Sequence, residues 1–344
     1  MFGRKKGNIN YKYIRRRKSW LRRNIGLVIF IAVISLLIIA GLTVGVILLR
    51  NNFAKKDAAS QATEAATEET TSKAATWYEY TEKTTSAEVS YTAPTNAQYP
   101  YYIKINRSLN CVTVYGIDAN GEYKTAIKSF ICSCGATGTE TQLGEFSLSY
   151  KMEWGYMGDG YTGQYASVLS NGYALEAVPS KSAAAGNIVA DEFNKLGTAA
   201  TIGYVRLTTK DAKWIYDNCA VGTKIMVYED ASNPGELGKP EMIKLVTSNA
   251  NSVWDPTDPN TQNPWLTAKP SITGTKDITV SKGNEVNLLT DIKAYDTCGN
   301  DISSSVQLIG KYTFDIAGTY TIKYLVIDAL GNKAETSIKL IVTE

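Results

Sequence analysis

Residues 201–228 read TIGYVRLTTKDAKWIYDNCAVGTKIMVY. Thr208 and Asp211 stand three apart, the spacing of a capping box, and so predict a helix over Thr209 to Asn218. A strand over Lys224 to Tyr228 follows and closes the domain. Upstream, a short helix is expected from about Ala190 to Leu196, stopped by Gly197. Further back, Ile103-Lys104-Ile105 and Cys111 to Tyr115 alternate with period two. Asp118-Ala119-Asn120-Gly121 reads as a turn, and Lys124 to Cys132 as the return strand of a hairpin. Glu145 to Tyr150, Tyr165 to Leu169 and Gly172 to Val178 are further strand candidates. The middle of the chain, residues 98–229, is therefore expected to be a β domain with short helices.

The stretch Thr201 to Tyr228 resembles the end of the L,D-transpeptidase (YkuD-like) catalytic domain. That family carries S-H-G-C-x-R, then a D-A helix, then a G-T strand. It cross-links or modifies peptidoglycan peptides through a cysteine thioester. The resemblance extends to Thr141-Gln142-Leu143-Gly144-Glu145-Phe146, where the family has T-P-x-G-x-F, and to Gly163-Gln164-Tyr165-Ala166. Leu175-Glu176-Ala177-Val178-Pro179 stands where many members have F-H-S-V-P. Asn194-Lys195-Leu196-Gly197 resembles the approach to the catalytic loop. The likeness implies substrate contacts at Gly203, Arg206, Tyr165, Thr141 and Gly144.

The reacting positions differ. Tyr204 stands at the nucleophilic cysteine, Ile202 at the adjacent histidine, Thr201 at the serine and Glu176 at the upstream histidine. Acyl transfer needs a thiolate-class nucleophile and a proton donor for the departing amine. A phenol with pKa near ~10 and no base serves poorly. The chain has no histidine at all, so no other segment restores a Cys-His pair. The expectation is a domain without catalytic residues that binds peptidoglycan peptide stems or a cell-wall enzyme. A working L,D-transpeptidase is the first alternative, and a surface adhesion or spacer protein the second.

Cys111, Cys132, Cys134 and Cys219 are open to two readings: buried free thiols, or a bridge from Cys111 to Cys132 or Cys134 across the hairpin. Trp154, Tyr156, Tyr161 and Tyr165 suit either packing or stacking on a sugar ring. Arg206 suits either a substrate carboxylate or the ordering of its own loop. Gly158-Asp159-Gly160-Tyr161 holds one carboxylate, too few for calcium, and reads as a glycine-flanked turn. No metal or cofactor is expected.

Farther out, residues 270–344 form a second β unit. Tyr320, Ile322, Tyr324 and Val326 alternate with Thr321, Lys323, Leu325 and Ile327. Gly331-Asn332 turns into a last strand, Glu335 to Val342. Together with Asp291 to Asp296, Gly299 to Ile302 and Asp328 to Ala334, this resembles bacterial Ig-like surface modules, which are spacers or adhesive units. Residues 230–269 contain five prolines (Pro234, Pro240, Pro256, Pro259, Pro264) and read as an extended connection packed in part through Trp254 and Trp265.

At the other end, residues 25–49 carry no charge. As a helix they would be about 37 Å long, enough to cross a ~30 Å hydrocarbon core. The basic tail, residues 1–24, precedes them with ten Lys and Arg, which predicts a cytoplasmic N-terminus and an exported remainder facing the cell wall. A cleaved signal peptide is the alternative, opposed by the length of the run. Residues 50–97, rich in Ala, Thr, Glu and Ser, read as a disordered stalk. The 344 residues carry a net charge of +3. Beyond the tail there are 26 basic and 33 acidic side chains, a net of −7. With no basic, aromatic-interleaved patch and no Gly-rich phosphate loop there, no nucleic-acid partner is expected.

Overall fold

The computed structural model of the protein describes residues 75–81 and 89–344. The basic tail, the apolar run 25–49 and most of the predicted stalk lie outside them. No helix among the described residues is long and apolar enough to cross a membrane.

The stalk reading changes near its end. Tyr78–Tyr80 form a strand, β1, which pairs with a strand more than two hundred residues later. Apolar anchoring explains it: the Tyr78 ring stacks 5.2 Å from Tyr312 and meets Phe314 edge-on at 6.0 Å. Tyr91 is also held, donating from its hydroxyl to the carbonyls of Pro100 and Ile117.

The middle domain is a closed barrel. Its strands are β2 (Tyr101–Asn106), β3 (Cys111–Ile117), β4 (Tyr123–Ser133), β5 (Gly144–Tyr156), β6 (Thr162–Leu169), β7 (Ala174–Ala177), β8 (Val205–Leu207) and β9 (Lys224–Tyr228). Around the barrel the order is β2-β3-β4-β8-β7-β6-β5-β9. β2 with β9 and β7 with β8 are the parallel pairs. The predicted hairpin is β3–β4. Asp118 closes its turn by accepting from the amides of Asn120 and Glu122, each at 2.9 Å. Alternation along these strands sends Ile103, Ile105, Val112, Val114, Ile225 and Val227 into the core, while the intervening residues face outward.

Two helices attach to the barrel. α1 is a single turn, Ala190–Phe193, followed by turns to Gly197. α2 spans Thr209–Asn218, with Thr208 accepting from the Asp211 amide as the capping spacing predicts. Ala212 and Ile215 enter the core. A second cap comes from far away: Asp255 accepts from the Thr209 amide at 2.6 Å.

Asp255 belongs to the 230–269 segment, which packs through Trp254 and Trp265 as expected. Leu245 and Trp265 share an apolar cluster with Val178, Phe193 and Leu196 of the barrel domain and Cys298 of the C-terminal unit. The Trp265 indole N–H donates to the carbonyls of Asn251 and Trp254.

The C-terminal unit has two sheets. β10 (Ser271–Thr273) pairs with β12 (Lys293–Tyr295). The larger sheet adds β11 (Ile278–Ser281), β13 (Gln307–Tyr312), β14 (Gly318–Ile327) and β15 (Lys333–Thr343), in the order β1-β13-β14-β15-β11. Ile322, Tyr324 and Val326 enter its core, as the alternation predicts.

Candidate functional site

Parallel pairing of β7 with β8 sets Glu176 beside Arg206. Both are buried, at 1% and 4% exposure. Arg206 is fully engaged at its terminal nitrogens: Nη2 donates to Asp159 Oδ2 at 2.6 Å and Nη1 to Glu192 Oε2 at 2.8 Å. Asp159 comes from the Gly158–Gly160 turn between β5 and β6, and Glu192 from α1. Glu192 also meets Lys195 at 2.5 Å. Two carboxylates thus face two cations, and a third carboxylate would leave an uncompensated buried charge. Burial accordingly pushes the Glu176 carboxyl up to about 8, with Asp159 pushing the same way and Arg206 opposing. At neutral pH Glu176 is a neutral acid. Its Oε1 has no hydrogen-bond partner among the described residues, nor does Arg206 Nε.

Glycine makes room for the buried acid. A Cβ on Gly163 would lie 2.6 Å from Glu176 Oε2 and 2.5 Å from the Met157 methyl.

The loop before β8 is built by Thr201. Its hydroxyl donates to the Tyr204 carbonyl at 2.7 Å and accepts from the Gly203 amide at 3.1 Å. Gly203 has φ +113, and a Cβ there would sit 2.5 Å from the Tyr173 ring, so this position takes only glycine without strain. The Tyr204 ring packs edge-on against Tyr173, centroids 5.4 Å apart. Its hydroxyl reaches toward Gly158, beside the Asp159 turn. Ile202 reaches the same turn and is 41% exposed. Burial raises the Tyr204 phenol above its usual pKa, with Glu176 and Asp159 adding to the shift. A neutral phenol and a neutral carboxyl can donate hydrogen bonds.

All five cysteines of the chain are free and buried. Burial pushes Cys111 up, Cys132 well up and Cys219 to about 12. Cys132 and Cys134 approach to 3.8 Å between sulfurs. No cluster of metal-ligating side chains occurs among the described residues.

The predicted site residues therefore divide. Glu176, Thr201, Ile202, Gly203, Tyr204 and Arg206 come together. Thr141 lies beneath the neighbouring loop, buried, accepting from the Gly135 amide at 2.9 Å. Gly144 begins β5 opposite Val227. The Tyr165 ring packs on Tyr216 of α2, with the Lys213 ammonium 5.2 Å above it. Asp159, Glu192 and Tyr173 complete the site. Asp159 was visible in the sequence only as a turn residue, and nothing marked the other two.

Residues 100–227 match the L,D-transpeptidase catalytic domain, YkuD. Residues 270–342 match the bacterial surface protein Ig-like domain. A 40-residue stretch of the chain is 45% identical to YciB of Bacillus subtilis (strain 168), which carries the name of an L,D-transpeptidase. That stretch is 12% of this chain and 21% of YciB. Among solved structures, the L,D-transpeptidase LdtMt1 in complex with imipenem is 21% identical, with 38% of this chain and 59% of that one covered and a TM-score of 0.31. A fused Zn-dependent amidase/peptidase/peptidoglycan-binding domain-containing protein from Clostridium acetobutylicum ATCC 824 is 23% identical, covering 40% and 55%, with a TM-score of 0.29. The chain thus spans about a fifth of YciB and little more than half of either solved chain.

Proposed function

We propose that the protein is a membrane-anchored envelope protein whose L,D-transpeptidase-like domain holds peptidoglycan peptide stems without transferring them. The observation that carries this reading is Tyr204. By resemblance to the family motif it stands at the nucleophile's position, and its ring is lodged against Tyr173 in a chain without histidine and with its thiols buried. Binding and acyl transfer draw on different contacts, so a cleft can keep the first after losing the second. Ile202, Tyr150 and Tyr156 are exposed apolar side chains of this domain. Tyr150 lies near enough to influence the Tyr204 phenol. The uncharged run 25–49 behind a basic tail supplies the anchor and sets the barrel on the wall-facing side.

The test is co-sedimentation of the full-length protein with purified sacculi, followed by muropeptide analysis. The expected result is binding, weakened by Ile202→Asp, with no new cross-linked species. New cross-links would establish the transferase. Absence of both binding and turnover would leave a spacer or adhesin.

A further inference from the structure

The outer face of β2, β3 and β9 carries a second concave site, sharing no residue with the Tyr204 loop. Alternation turns Tyr102 and Lys104 outward on β2, Tyr115 outward on β3, and Met226 and Tyr228 outward on β9. Tyr102 stands opposite Tyr115, and Lys104 beside Met226. The segment after β9 folds back to form a wall. Buried Asn106 fixes it, its amide donating to the carbonyls of Asp230 at 2.8 Å and Asn233 at 2.9 Å. The result is a cavity of about 320 Å³, within the range of small-ligand pockets.

Its chemistry narrows the occupant. The Lys104 ammonium sits 4.8 Å from the Tyr115 ring centroid and 6.0 Å from that of Tyr102. The pocket supplies its own cation to the ring faces, which disfavours a cationic ligand. Glu236 and Asp230 line the cavity, and Glu145 stands opposite Met226 on β5. Three carboxylates around one ammonium disfavour a phosphate or carboxylate. A purely apolar ligand would bury these polar groups without partners. What fits is a neutral ring with apolar faces and a rim that both donates and accepts hydrogen bonds. Tyrosines supply rigid, amphipathic contact area for such a ring.

We propose that this tyrosine pocket binds a neutral saccharide ring. Tyr102 and Tyr228 flank the ring, Lys104 and Asn233 donate to its oxygens, and Asp230 and Glu236 accept from its hydroxyls. This goes beyond stem-peptide recognition and stands whether or not the Tyr204 loop binds anything.

The experiment uses full-length protein in mild detergent, labelled with ¹³C at its methionine methyls, and titrated with N,N′,N″-triacetylchitotriose, which carries no peptide. Met226 is the reporter in the pocket; Met152 and Met157 report on the other face. The expected result is a saturable shift of Met226 alone, with affinity about tenfold weaker in Tyr102→Ala, a change of about 1.4 kcal/mol. The wild-type titration decides even if that variant folds poorly. No saturable shift at Met226, a shift centred on Met152 or Met157, or unchanged affinity in a folded Tyr102→Ala protein would overturn the proposal. Failure of sacculus binding through Ile202 would leave this prediction intact.

Discussion

The barrel and the Ig-like unit bury polar groups in opposite ways. In the Ig-like unit, buried Asp328 accepts from the Thr297 amide and hydroxyl and from the amides of Leu330 and Asn332. Both of its carboxylate oxygens are satisfied. The barrel instead contains all five buried side-chain atoms that lack a partner among the described residues: on Thr113, Ser167, Glu176, Arg206 and Thr223. Two of the five adjoin each other, at Glu176 and Arg206. Unsatisfied buried groups concentrate at functional sites because they oppose stability. Glu176 and Arg206 thus share a costly buried arrangement beside the Thr201–Tyr204 loop.

That contrast predicts unequal responses. Arg206→Ala should act most strongly, because it leaves Asp159 and Glu192 without their shared cation. About 3–5 kcal/mol of stability should be lost in denaturant unfolding followed by a barrel probe. A loss below about 1 kcal/mol would show the cluster to be as loose as a surface pair. Next comes pH. The folded state holds the Glu176 proton up to about 8, against 4.5 when unfolded. Between those values the native state binds more protons, so stability falls as pH rises, and the full cost applies above 8. Glu176→Gln should raise the Tm above pH 8 and leave it nearly unchanged below pH 4.5. Equal shifts at both ends would mean that Glu176 does not titrate in this window. Gly203→Ala should cost about 1–3 kcal/mol through its left-handed backbone and the Tyr173 ring. Smallest of all, Glu335→Ala breaks an exposed pair with Lys323, 3.1 Å long, and should cost less than about 1 kcal/mol.

Local signals in the sequence reached far into this fold. The Thr208–Asp211 spacing located α2, alternation located β2, β3 and β14, and the Asp118–Gly121 turn located β4, because each depends on neighbours within a few residues. β8 escaped notice: three residues buried on both faces show no period. β1 escaped because its partner, Tyr312, lies more than two hundred residues on, and a polar stretch reads as coil until an aromatic anchor is known. The 230–269 segment showed its packing through Trp254 and Trp265 but not its capping role, since Asp255 caps a helix begun 46 residues earlier. At the site, Tyr204, Ile202 and Glu176 were legible as departures from a pattern. Their surroundings were not, because Asp159 and Glu192 reach Arg206 across 47 and 14 residues. Tyr165 shows the converse: the motif was readable, but its ring went to Tyr216 on α2.

A nucleophile in the Tyr204 loop or among the barrel thiols would be acylated by imipenem, and the intact mass of the full-length protein after exposure reads this out. The expected mass is unchanged, since Tyr204 is a neutral phenol and the cysteines are buried. An added mass that peptide mapping places on Tyr204 or on a cysteine of the barrel would contradict it.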